Sequence, residues 1–289
     1  MIISRSTFQL LRFHFSFFLM PVYWFAISQL LLPDTRRAIL IFFIIHFLLY
    51  PSSNGYNSYM DRDKESIGGL KSPLVPTRQL FHVTFVMDLL AVLLSLFISI
   101  YFTTGTILYI LASRAYSARG IRLKKYPVLG YLTVIIFQGA LIFFMVYHGA
   151  AAGLGLQVPL PGMISASLLI GGFYPLTQIY QHAADARDGV ITLSAVLGYR
   201  GTFIFSGIVY GIAFAVLALF FQISLEIKEL WVFATFMIPV IVYFMYWAGK
   251  VWRNPARADF GHTMRMNLIA SMCTSLGFIV VFLMHYNLR

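Results

Sequence analysis

Apolar stretches near membrane length recur along the whole chain, at about 15–32, 38–53, 80–101, 104–117, 128–147, 163–180, 202–225, 230–249 and 266–286. Hydrocarbon offers no water to a backbone N–H or C=O, so a chain built this way is confined to helices or a closed barrel. Continuous apolar runs of this length select helices over the short alternating segments of a barrel. With 60% hydrophobic and 11% charged residues over 289 positions, a soluble globule of this size would lack the polar surface it needs. The expected fold is therefore an all-α integral membrane protein of nine transmembrane helices, a single membrane domain over 1–289. Phe15 to Leu32 has no small-residue cleavage site and reads as a retained first span.

Residues 79–113 hold one acid, Asp88, and could form one long helix or two that turn at Thr103-Thr104-Gly105. Charge parity chooses two. With two helices there, 17 of the 21 Lys and Arg fall on the face of the N-terminus, and only Arg36, Arg37, Lys228 and Arg289 fall opposite. Cytoplasmic loops collect Lys and Arg, so the N-terminus and the basic loops are expected in the cytoplasm, with a bacterial inner membrane as the expected location. The same bias accounts for the net charge of +11 without a nucleic-acid partner. The single cysteine, Cys273, excludes a disulfide framework and a cysteine metal cluster. Trp231, Trp247 and Trp252 stand near span ends, as in an aromatic belt.

On that basic face, five of the ten acids gather in two groups: Asp61, Asp63 and Glu65, then Asp185 and Asp188. Written as a helix, Asn57, Asp61 and Glu65 lie four residues apart and share one face. Asp63 points off that face and is expected to orient a base. The approaches to the two groups match: Tyr50-Pro51, five residues, Asn57, three residues, Asp61; and Tyr174-Pro175, five residues, Gln181, three residues, Asp185. This is a weak internal repeat, with two four-helix halves plus one further helix. The loops that carry the motifs run over about 50–79 and 175–201.

Carboxylate and amide oxygens are hard ligands suited to Mg2+, which binds through a few carboxylates, waters and substrate phosphates. The metal ligands expected are Asn57, Asp61, Glu65, Asp185 and Asp188, with Asp61 and Asp185 the expected catalytic carboxylates. Arg62, Lys71 and Lys125 are the expected contacts to a diphosphate. An aromatic content of 17% can line a dry pocket in which an allylic cation survives. Asp88 inside a span is expensive and needs a partner; Arg78 and His82 are candidates. His182 borders the second motif and could touch substrate.

These residues resemble the UbiA superfamily of intramembrane prenyltransferases. Asn57, Asp61 and Glu65 match its first signature, with Tyr59 and Arg62 in the familiar places and Glu for the last Asp. Ser72 to Arg78 is similar to the family's proline-rich segment ending in Arg. Tyr116-Ser117 followed by Ile121 to Pro127 resembles its basic loop after the fourth span. The second signature departs: Gln181 stands where an acid is common, and Val190 where a polar residue is expected. The resemblance implies nine helices around a central cavity, two magnesium-binding motifs and a prenyl diphosphate donor. It implies transfer of the isoprenoid chain to a lipophilic or aromatic acceptor, with membrane lipids as further partners. The altered second motif leaves open a membrane terpene cyclase that needs no acceptor. An ion or solute carrier is a third reading, opposed by acids at helix ends rather than at the midplane.

Overall fold

The computed structural model describes residues 3–224 and 226–287; Arg289 and residue 225, the end of the seventh expected stretch, lie outside them. The helices are α1 (Arg5–Ser28), α2 (Thr35–Asp61), α3 (Arg78–Ser95), α4 (Ile100–Ser117), α5 (Pro127–Ala150), α6 (Leu160–Gln178), the short α7 (His182–Arg187), α8 (Leu193–Ile223), α9 (Ile227–Arg253) and α10 (Phe260–Asn287). Eight of them are long and apolar enough to cross a membrane; α4 stands outside that set. Its composition has a reason, because Tyr109, Ser113, Tyr116 and Ser117 face an internal cavity rather than lipid.

Local chemistry sets the boundaries. Asp34 caps α2 by accepting from the Arg37 N–H at 3.0 Å, and Ser99 caps α4 by accepting from Phe102 N–H at 3.0 Å. The break in 79–113 therefore lies between Ser95 and Ile100, not at Thr103-Thr104-Gly105. Those threonines sit inside α4 with their hydroxyls donating back to the carbonyls of Ser99 and Ile100, so they satisfy themselves within the helix. Two helices relax into π turns, Ile44–Leu49 in α2 and Ile135–Ala140 in α5. The first ends two residues before Pro51, which has no N–H to give the ladder.

A stack of buried rings ties distant parts of the chain together. Phe25 of α1 lies 4.5 Å from Phe278 of α10 and 4.8 Å from Phe143 of α5, and Phe233 of α9 lies 4.4 Å from Phe278. The α5–α6 contact is closer still: a Cβ on Gly139 would come within 2.5 Å of the Ser167 Cα, so only glycine permits this approach. Trp247 is fully buried and donates to the Arg257 carbonyl at 2.8 Å, which removes it from the expected belt, while Trp231 and Trp252 remain exposed.

The parity read from charge reappears in the contacts. At one end the N-terminal turn meets the segment after α2, through Ser4 N–H to Gln79 Oε1 at 2.8 Å and Leu74 N–H to Gln9 Oε1 at 2.9 Å. The loops after α4 and α6 join it there, with Arg119 donating to the Met60 carbonyl and Arg122 to the Asp188 carbonyl. At the other end Asp34 N–H donates to the Ala150 carbonyl and Arg37 to those of Ala151 and Ala152.

Candidate active site

α2 delivers the first motif to the basic end and stops at Asp61, because Arg62 turns left-handed at φ 54°. Glu65 is thus not a further turn along the Asn57–Asp61 face. The helical register expected for Asn57, Asp61 and Glu65 holds only for the first two. Glu65 lies in an exposed segment and pairs with Arg187 of α7. Asn57 donates to Ser117 Oγ at 3.1 Å. Asp61, its side chain only 5% exposed, pairs with Lys124 and sits 3.6 Å from Arg122.

The second motif is built differently despite identical spacing. α6 ends at Gln178, and Asp185 rides on the separate α7, whose Asp185 N–H donates to the Gln181 carbonyl at 2.8 Å. Gln181 reaches across to the Ser66 carbonyl at 3.2 Å and so links the two motif segments. Asp188 is turned onto Arg122.

A cavity of about 210 Å³ opens between these segments and runs down among α2, α4, α5 and α6. Its acidic end carries Asn57, Asp61, Asp63, Gln181 and Asp185, with Arg12 and Lys124 facing them. Phe18, Phe137, Ile170 and Phe173 give the deeper part its apolar walls. Burial pushes the Asp63 carboxyl up to about 6, with repulsion from Asp61 adding to it. Burial likewise pushes Asp185 up to about 7, against the pull of Lys124 and with help from Asp63 and Asp61. Burial is the main cause of both shifts, and repulsion among the carboxylates adds to it.

Among the described residues no three His, Cys, Asp or Glu side chains converge closely enough to form a ready metal site. The residues nonetheless fit a hard divalent cation. Asp61 Oδ1 is buried without a hydrogen-bond donor, and the oxygen donors of Asn57, Asp61, Asp63 and Asp185 share one cavity wall. The bases expected to bind diphosphate are elsewhere: Arg62 lies over Tyr59, Lys125 over Tyr126, and Lys71 is exposed. Lys124, Arg122 and Arg12 hold the positions near the acids instead.

The sequence favours Lys125, but adjacent lysines in one loop carry no sign of which turns inward, and it is Lys124 that lines the cavity. Arg12 is missed for a plainer reason, since a base near an N-terminus reads as a topology charge. It is in fact 6% exposed, left-handed at φ 50°, and donates to the Asn54 and Gly68 carbonyls at 3.0 and 3.2 Å. Asp88 finds its partners in Arg114 and Ser52, not in Arg78 or His82. His182 is tied to Ser194 Oγ at 2.8 Å and stacks on Tyr199.

The model of the UbiA prenyltransferase family matches residues 17–269. No curated protein is a significant match. Among solved structures, a UbiA homologue from Archaeoglobus fulgidus bound to GPP and Mg2+ superposes with a TM-score of 0.70 at 18% identity, over 96% of this chain and 99% of that one. The apo UbiA homologue from Aeropyrum pernix K1 gives 0.70 at 18% identity, over 92% and 97%. A structure of digeranylgeranylglyceryl phosphate synthase gives 0.61 at 18% identity, over 96% and 98%.

Proposed function

The chain belongs to the UbiA prenyltransferase family and is an integral multi-pass membrane protein; from that premise we propose that it moves an isoprenoid chain from a prenyl diphosphate to a lipophilic acceptor. One observation carries this reading. A single cavity joins a rim of carboxylates and bases, Asn57, Asp61, Asp63, Asp185, Arg12 and Lys124, to an apolar aromatic interior. The rim suits a diphosphate and the interior suits its hydrocarbon. Structures of a UbiA homologue bound to DMAPP or GPP with Mg2+ support the donor and the ion.

In this reading Asn57, Asp61 and Asp185 hold Mg2+, with Asp63 beside them. Bound there, the ion would offset the charge that builds on the leaving diphosphate. Lys124 and Arg12 bind phosphate oxygens directly, Lys124 exchanging its contact with Asp61 for one with substrate. The C1–O bond of the donor breaks and its electron pair leaves on diphosphate. A nucleophilic atom of the acceptor bonds to C1, and the proton it loses departs on the diphosphate. Phe137, Phe173 and Tyr174 exclude water and present ring faces to the developing cation. The N-terminus and both motif segments face the cytoplasm, with a bacterial inner membrane as the host.

The test is diphosphate release by the purified protein with Mg2+, DMAPP or GPP, and a panel of acceptors. Acceptor-dependent release that is lost in Asp61→Asn is the expected result. A cyclised product formed from the donor alone would replace transfer with terpene cyclisation. No release from either donor under any condition would end the proposal.

A further inference from the structure

The middle of the cavity is more polar than a hydrocarbon chain requires. The π turn Ile135–Ala140 places Gln138 on the cavity wall. That turn is held by Ser167, whose Oγ accepts from the Ala140 N–H at 3.0 Å, and by the close approach at Gly139. Gln138 and Ser53 both stand beside the Tyr109 hydroxyl, and Ser113 donates to Ser53 Oγ at 2.7 Å. All four side chains line the cavity. Ser53 is eight residues before Asp61 on α2, about 12 Å from it along the helix axis. This ring therefore lies in the same cavity, below the diphosphate rim.

The hydroxyls can satisfy one another, but the Gln138 amide has two N–H donors and a carbonyl acceptor, more than a contact with Tyr109 can use, and setting the remainder against an isoprenoid tail would carry a cost. These side chains match uncharged hydroxyl or carbonyl groups. The ring contains no cation. Among the described residues the cations lining the cavity are Arg12 and Lys124. Lys124 pairs with Asp61, and Arg12 is bound to two backbone carbonyls and lies in the field of Asp63 and Asp61. Both belong to the diphosphate rim, which leaves no partner for a second anion.

Resting on the transferase reading above, we infer that the acceptor is electrically neutral, carries its polar atoms as hydroxyl or carbonyl groups, and is held by Gln138, Tyr109, Ser53 and Ser113. Gln138 sets its orientation, and an acceptor with a carboxylate or phosphate is rejected because its charge would be buried unpaired.

The experiment compares two probes on the full-length protein in detergent, neutral 1,4-dihydroxynaphthalene and anionic 4-hydroxybenzoate, by calorimetric binding and by transfer from GPP with Mg2+. The neutral probe is expected to bind and to be prenylated, with kcat/KM at least roughly tenfold above that of the anion. Gln138→Leu is expected to raise the KM for the neutral probe roughly tenfold while leaving the KM for GPP unchanged, a split that general misfolding would not give. Tyr109→Phe, which removes one hydroxyl at constant shape, should raise it in the same sense and serves if Gln138→Leu does not fold. Equal use of the anion, or unchanged acceptor KM in both variants, overturns the inference and leaves the transferase reading intact. Binding of the neutral probe that is lost in Gln138→Leu, without prenyl transfer to any acceptor, keeps the subsite and overturns the transferase reading. A neutral probe that neither binds nor reacts overturns the inference.

Discussion

Asp63 and Glu65 invert their expected importance. Spacing favours Glu65, but the left-handed turn at Arg62 sends it out to Arg187 and brings Asp63 into the cavity. Asp63→Asn should therefore lower diphosphate release by roughly tenfold or more, whereas Glu65→Gln, which disturbs an exposed ion pair, should change it by less than about threefold; steady-state assays of both variants check this. The cluster also predicts a pH dependence. A carboxyl that titrates higher in the folded protein than in the unfolded chain binds more protons when folded between the two values, so stability falls as pH rises through that window. For Asp185 the window runs from 3.8 to about 7. Metal-free protein should thus lose melting temperature between about pH 5.5 and pH 7.5, Mg2+ should restore it at the upper value, and Asp185→Asn should flatten the profile. Differential scanning fluorimetry in detergent reads all three. The sequence made Asn57, Asp61 and Asp185 legible because helix-end acids on a basic face are conspicuous. It could not show Arg12 or Lys124, because burial of one base among many depends on turns at Arg12 and Arg122 that are left-handed without glycine.

Helices were easier to read than their joints. Membrane-length apolar runs announce themselves through hydropathy, and the expected stretches each fall within or overlap an observed helix. The α3–α4 joint is not where Thr103-Thr104-Gly105 suggests, because threonine and glycine look like turn formers, yet in a helix a threonine can donate to its own preceding turn. The π turns left no trace in the pattern, since one additional residue per bulge hides within any long apolar run. At Gly139 the packing of elements yields a direct test. Gly139→Ala would push α5 off the Ser167 backbone, and we expect a loss of about 1–3 kcal/mol, seen as a lower melting temperature. Gly153→Ala, where nothing lies within 4 Å of the added Cβ, is the neutral comparison.

For the whole molecule, parity of basic loops was sufficient to pair the ends, because a charge bias summed over many loops survives errors in any one of them. Orientation itself can be tested in a Cys273→Ser background. A membrane-impermeant maleimide should label Ser72→Cys only when the cytoplasmic side is opened, and Gly153→Cys from outside intact cells. The stack of Phe25, Phe143, Phe233 and Phe278 has a further consequence for how the protein is made. It is reinforced where Ser271 donates to the Phe17 carbonyl and His285 hydrogen-bonds to that of Ser28. α1 thus needs α10, more than 200 residues further along the chain, before its inner face is covered. Until α10 is synthesised, Phe25 and Phe143 have no Phe278 to close against, so a nascent chain halted after α9 is an open ring that quality-control proteases can reach. Closure of the helices around Phe278 depends on α10 and is not a property that either half acquires alone.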